Sequence, residues 1–145
     1  MKSVFATGLL LQLFLLSYSA GANPSENPLI ATAQMNFHPV PSDLTIDINI
    51  DSGFYAYLDQ FKVKFKNPSG LTIIDFDIAP VNRFYDQYSK KDRLGIKDKA
   101  KLMAVVVGMA PKIMDPEMPA TIELTYQACN KKACLFPKTI SVPIN

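Results

Sequence analysis

From residue 44 the chain alternates with a period of two. Leu44, Ile46, Ile48 and Ile50 are apolar, while Thr45, Asp47, Asn49 and Asp51 between them are polar. Successive side chains of a strand point to opposite faces, so this pattern fits a strand with one buried and one wet face. The alternation returns in Phe61, Val63 and Phe65 against Lys62, Lys64 and Lys66, and in Ile74, Phe76 and Ile78 against Asp75 and Asp77. "NPSG" at 67–70 supplies a turn between two of these runs. Segments 101–107, 120–128 and 138–144 bring the expected number of strands to six or seven. Eleven prolines and the lack of a long 3.6-residue period argue against helices. Short strands at this spacing predict an all-β antiparallel sandwich, with a small barrel as the alternative.

The compartment decides whether a disulfide is available. After Lys2 comes an apolar run from Val4 to Leu16, broken only by Thr7, Gly8 and Gln12, and then the small-residue stretch "SYSAGAN". Ala20 and Ala22 satisfy the A-x-A cleavage rule, so residues 1–22 read as a signal peptide. The run is about 13 residues long, short of the roughly 20 that span a bilayer, and the mature protein is expected to be soluble. No cysteine lies near the cut, so a lipid anchor is not indicated. "NPSENPLIATAQ" at 23–34 is polar and proline-bearing and reads as a flexible arm, leaving 35–145 as one folded domain. Removal of residues 1–22 leaves 14 basic against 13 acidic side chains. That balance gives no footprint for nucleic acid or an anionic membrane.

The only two cysteines, Cys129 and Cys134, lie in "YQACNKKACLFP" with four residues between them. In an exported protein a disulfide is the default. "TIELTYQAC" leads in as a strand, "NKKA" turns and "CLFPKTISVPI" leads out, so the two face each other across the base of a hairpin, at a separation a disulfide can bridge. So small a ring constrains the unfolded chain by only about 2 kcal/mol. The pair is therefore either a minor hairpin staple or a bond whose value lies in being opened and closed. C-x4-C is not the C-x-x-C of a thioredoxin-type site. His38 is the one histidine and cannot complete a zinc site. Copper(I) could use the thiolates with Met103, Met109, Met114 or Met118, although core packing or chance exposure accounts for those methionines better.

The residues around the pair carry a resemblance. "YQAC", a second cysteine followed by an aromatic and a proline, "DSGFYAYLDQFKVKF" at 51–65 and "NRFYDQYSKKDRL" at 82–94 occur in the order of the N-terminal periplasmic domain of the thiol:disulfide interchange protein DsbD. The resemblance covers about residues 35–144. It implies an immunoglobulin-like sandwich, with no cofactor beyond a redox-active disulfide. Electrons would pass through Cys129 and Cys134 between a thioredoxin-like donor and periplasmic thiol proteins. Cys134 would be the sulfur that forms mixed disulfides with partners, and Cys129 the resolving one.

By the same resemblance Phe84 and Tyr85 match the aromatics of a cap over the cysteines. Tyr55, Tyr57 and Tyr126 are candidates for lining the site, with core packing as the competing reading. Leu135, Phe136 and Pro137 form an apolar patch on which a thioredoxin-like partner could dock. Lys131 and Lys132 could stabilise a thiolate. Three departures stand out. Asn82 and Arg83 replace acids, "CLFP" replaces a C-Y-P-P pattern, and the chain ends at Asn145 without the family's membrane and thioredoxin-like domains. A separate membrane electron donor and a monomeric state are the expectations. Two other readings stay open: an immunoglobulin-like binding module with a structural staple, and a copper(I) carrier.

Overall fold

The alternation at 44–50 becomes a strand whose Leu44, Ile46 and Ile48 side chains are at most 1 % exposed. The structure is a computed structural model that describes residues 27–36, 41–67, 70–108 and 119–145. In chain order the strands are β1 (Leu29–Asn36), β2 (Ser42–Ile50), β3 (Tyr55–Tyr57), β4 (Lys62–Asn67), β5 (Leu71–Ala79), β6 (Asn82–Asp86), β7 (Lys91–Lys97), β8 (Lys99–Gly108), β9 (Thr121–Tyr126), β10 (Ala128–Cys129) and β11 (Lys138–Pro143). Among the described residues the one helical piece is a 3-10 turn at Leu58–Gln60.

Paired strands are antiparallel throughout and form three sheets, ordered β1-β2-β8-β5, β10-β3-β7-β6 and β11-β9-β4. The inner faces of all three meet in one core. The period-two burial is not confined to β2: Ala100, Leu102, Ala104 and Val106 of β8 and Ile122, Leu124 and Tyr126 of β9 are buried at every second position. Burying a leucine or isoleucine fully contributes about 1.5–3 kcal/mol each, so this layer carries much of the fold's stability. A parallel bridge from Ala33 to Ile144 joins the first sheet to the end of the chain.

Two sequence expectations change. Residues 29–34, expected in a flexible arm, are part of β1 and pair in register with β2 from Leu29↔Ile50 to Asn36↔Asp43. The alternation there is carried by Leu29, Ala33 and Met35, and two of its inward positions are small alanines that a hydrophobic scan underweights. In β5 the expected apolar face of Ile74, Phe76 and Ile78 is broken, and Ile74 is 60 % exposed. A bulge between Ile73 and Asp75 inserts one residue, which flips the phase so that Leu71 and Ile73 face in before it and Phe76 and Ile78 after it. Residues 82–94, where the resemblance places the segment carrying the cap, lie in the paired strands β6 and β7 and the turn between them. The expected signal peptide, residues 23–26, Pro68 and Ser69 of the "NPSG" turn, His38, Met109, Met114 and Met118 lie outside the described residues.

Candidate functional site

Strand β9 gives way at Gln127 to the short β10, which forms the edge of its sheet and pairs Ala128 with Ala56 and Cys129 with Tyr55. The chain then turns on Asn130. Its side-chain Oδ1 accepts from the backbone N–H of Lys132 at 2.8 Å and of Ala133 at 2.9 Å, while its own N–H donates to the Ala133 carbonyl at 2.9 Å. An asparagine folding the following backbone onto its own side chain in this way is a sequence-coded turn. It returns Cys134 opposite Cys129, and the two form a disulfide with their Cα atoms 3.9 Å apart. The exit is fixed by Leu135 N–H donating to the Ala128 carbonyl at 2.8 Å and Gln127 Nε2 donating to the Leu135 carbonyl at 3.0 Å. The bond is asymmetric in exposure: Cys129 is 0 % exposed, whereas Cys134 is half-buried.

Beside the pair stands the β6–β7 hairpin, joined to it through β3. Paired residues share a face, so Cys129, Tyr55 and Lys97 lie on the same outer side of this sheet. Phe84 reaches across β7 at Gly95 and stacks on Tyr55 with ring centroids 4.6 Å apart and planes 12° apart. A Cβ at Gly95 would lie 2.6 Å from the Ala56 carbonyl oxygen and 3.2 Å from the Phe84 ring, so glycine is what admits this crossing. Tyr55 in turn meets Tyr57 edge to face at 5.3 Å. The Arg93 guanidinium covers the Tyr57 ring at 3.7 Å from its centre, a cation–π contact.

Arg93 is held by two carboxylates, those of Asp59 and Asp86, the second at 3.1 Å. Asp86 ends β6 and organises the hairpin tip. Its carboxylate accepts from the Tyr88 N–H at 2.9 Å, the Ser89 hydroxyl at 2.8 Å and Arg93. The Ser89 hydroxyl foremost, then the Tyr88 N–H and Arg93, outweigh burial and hold the Asp86 carboxyl down at about 2. From this tip the Tyr88 hydroxyl donates to the Lys132 carbonyl at 3.2 Å, which places the hairpin end against the loop between the cysteines. A pocket of about 520 Å³ opens between the two, walled by Phe54, Tyr55, Phe84, Tyr85 and Tyr88 with Asn130 and Lys131.

The expected site residues therefore divide. Phe84 and Tyr55 form the stack next to Cys129, and Tyr85 lines the pocket while 60 % exposed. Tyr57 and Tyr126 are each 1 % exposed, and burial pushes both phenols up. Tyr126 belongs to the hydrophobic core; Tyr57 lies under Arg93. Leu135 packs against the core, whereas Phe136 is 90 % exposed and Pro137 is exposed. Asn82 pairs with Gly95, and Arg83 makes an exposed ion pair with Asp92 at 3.5 Å. Met103 is half-exposed and faces outward between Thr45 and Asp77. Sequence reasoning missed Asp86, Tyr88, Arg93, Gly95 and Asn130. For two of them a signal existed: an Asp two residues before Tyr88, and an Asn directly after Cys129, both typical of side-chain-folded turns.

Fold and site define a class: a β-sandwich with a disulfide in a very short loop at a sheet edge, flanked by an aromatic hairpin. The chain belongs to the family described as thiol:disulfide interchange protein DsbD, N-terminal, whose sequence model matches residues 26–145. Among solved structures it is similar to the reduced N-terminal domain of DsbD from Neisseria meningitidis, with a TM-score of 0.64 and 15 % identity over 86 % of this chain and 90 % of that one. It is also similar to a chain from the complex between the DsbD and PilB N-terminal domains of the same organism, with a TM-score of 0.54 and 15 % identity over 85 % and 87 % of the two chains. These likenesses fix the fold as an immunoglobulin-like antiparallel sandwich. No curated protein matches the chain in sequence.

Proposed function

We propose that the protein performs thiol–disulfide exchange in the periplasm, taking two electrons from a thioredoxin-like donor and passing them to other thiol proteins through Cys129 and Cys134. The observation that carries this reading is the unequal exposure of the two sulfur-bearing residues in a bond that closes only a six-residue ring. A staple has no use for such asymmetry. A shuttle needs one accessible sulfur and one sheltered resolving sulfur. Family membership supports it, as does a relative solved in complex with a second protein domain.

In the loading step a donor thiolate attacks Cys134 Sγ in line with the existing bond. The Cys129–Cys134 bond breaks, Cys129 leaves as a thiolate, and a mixed disulfide joins the donor to Cys134. The donor's second thiolate then attacks its own bridged sulfur and frees Cys134. The donor ends oxidised and this chain holds the electron pair as a dithiol. In the delivery step Cys134 attacks an acceptor disulfide, one acceptor thiolate leaves, and Cys129 displaces the other to restore the starting bond. A partner docks at the more exposed Cys134, whose loop is followed by Phe136 and Pro137 and meets the hairpin tip through the Tyr88–Lys132 bond.

Trapping tests this. Cys129→Ala should accumulate a stable mixed disulfide with thioredoxin-like proteins of a periplasmic extract, because no resolving thiol remains, and Cys134→Ala should trap little. Equal trapping by both variants would remove the assignment of Cys134. A wild type that exchanges with a dithiol no faster than a free model disulfide would remove the shuttle and leave a binding module with a staple.

A further inference from the structure

The loops that meet at the Tyr88–Lys132 contact are unbalanced in charge. The hairpin tip contributes Lys90 and Lys91, the loop between the cysteines contributes Lys131 and Lys132, and Lys97 lines the pocket between them with Lys131. All five are exposed, and none is ion-paired among the described residues. The acids of the hairpin are already committed: Asp86 to Ser89, Tyr88 and Arg93, and Asp92 to Arg83. Asp98 is the remaining acid of the pocket wall. A chain whose overall formal charge is only +2 thus gathers uncompensated positive charge around its disulfide loop. The same face exposes Tyr85 and Tyr88 at 60 % and 74 %.

Such a surface has an apolar, aromatic centre and a cationic rim. Its complement is apolar at the middle and anionic at the edge. Rim charges of this kind raise encounter rates and choose among partners rather than add much affinity, and salt screens them over about 8–10 Å. Nucleic acid is a poor fit, because the lysines sit on two loop tips that meet beside the disulfide and on the pocket wall between them instead of forming a stripe along one element. We propose that this face docks a thiol protein whose surface around its own reactive cysteine is acidic, and that the lysine ring selects it by electrostatic steering. The proposal rests on the exchange function argued above and adds the chemistry of the partner.

Three synthetic peptides test it, each carrying one cysteine flanked by glutamates, serines or lysines, as reductants of the oxidised chain. Rates are taken per thiolate, since the flanking charges also move the peptide thiol's acidity. At low ionic strength the acidic peptide should react roughly tenfold faster than the serine peptide and the lysine peptide correspondingly slower, and the spread should collapse near 0.5 M salt, where screening is nearly complete. Charge reversal by Lys90→Glu with Lys91→Glu, and separately by Lys131→Glu with Lys132→Glu, should invert the acidic-to-serine ratio, a readout that cancels changes in the thiol chemistry itself. Equal rates for the three peptides at low salt would overturn the proposal while leaving exchange intact. Equal rates together with salt-sensitive binding to phosphatidylglycerol vesicles would overturn it in favour of a membrane surface. No reaction with any peptide would overturn the exchange function and this proposal with it.

Discussion

The two halves of the sandwich are held together by different physics. Where β2 and β8 face β9 and β11, the inner residues Leu44, Ile46, Leu102, Ile122 and Leu124 are fully buried and carry no polar atoms in their side chains. The sheet of β10, β3, β7 and β6 contributes Ala56 and Ile96 to that core, but its outer face is built from ring stacking, a guanidinium over Tyr57 and the bonds to Asp86. Burial is non-directional and tolerant of small shifts. Stacks and charge-assisted hydrogen bonds are directional and individually worth about 0.5–3 kcal/mol. The difference teaches that the first region determines whether the chain folds and the second how the disulfide is presented. Substitutions in one region should leave the other's observable nearly untouched.

The largest effect should come from Leu102→Ala, which empties a fully buried site at the centre of β8. It should cost about 2–5 kcal/mol in urea unfolding. The rate at which dithiothreitol reduces the folded protein should not change. A several-fold change in that rate would mean that the core and the disulfide end are one mechanical unit, and the division would fail.

Reducing the disulfide is the next largest perturbation. The six-residue ring constrains the unfolded chain by about 2 kcal/mol, a minor part of the roughly 5–15 kcal/mol of an ordinary domain. The reduced protein should stay folded at room temperature with a lowered Tm, and far-ultraviolet circular dichroism with and without reductant checks this. Unfolding on reduction would make the bond a structural necessity and end its candidacy as a shuttle.

How far the sequence announced these two regions follows from the same contrast. The core was legible because burial imposes a period: β2, β8, β9 and β11 are visible from residues 44–50, 101–107, 120–128 and 138–144. The phase of β5 was not, since one bulged residue at Ile74 leaves no mark in composition. Strand β1 hid behind Ala31, Ala33 and a polar leader. At the site, the cysteine pairing was legible from compartment and spacing. The Asp86 turn left a local signal, but the bonds that tie the hairpin to its neighbours did not, because Arg93 reaches Asp59 and Tyr57 and Tyr88 reaches Lys132 only through tertiary geometry. Tyr57 and Tyr126 look alike in sequence and part company only when folded, one under Arg93 and one inside the core.

Acid should discriminate the two regions more gently. Asp86 has its carboxyl lowered from 3.8 to about 2, by the Ser89 hydroxyl first and then the Tyr88 N–H and Arg93. A folded-state pKa below the unfolded one means that the ionised form stabilises the native hairpin. That contribution is fully present above about pH 4 and is lost as the pH falls toward about 2. Near-ultraviolet signals from the Tyr55–Phe84 stack should therefore weaken across this window while the far-ultraviolet signal of the core sheets persists. In Asp86→Asn the near-ultraviolet change with pH should flatten, because the titrating group is gone. An unchanged profile would show that other carboxylates govern the acid response.

The smallest effect expected is that of Tyr88→Phe, and it bears most directly on how the hairpin is tied to the disulfide loop. Tyr88 is 74 % exposed, so the ring buries little area, and its hydroxyl bond to the Lys132 carbonyl competes with water. Surface changes of this kind usually alter stability by no more than about 0.5 kcal/mol. The bond nonetheless spans from the hairpin tip to the loop that the disulfide closes, which reduction opens. A net hydrogen bond of up to about 1 kcal/mol that is lost in the opened state would slow opening by about fivefold at most. Tyr88→Phe should accordingly speed reduction by dithiothreitol by a factor within that limit, leave Tm within about a degree or two, and leave the rate of a core variant such as Leu102→Ala where it was. If Tyr88→Phe and Tyr88→Ala both reduce at the wild-type rate, the tip does not restrain the loop through this contact, and the hairpin's hold on the site reduces to the Phe84–Tyr55 stack alone.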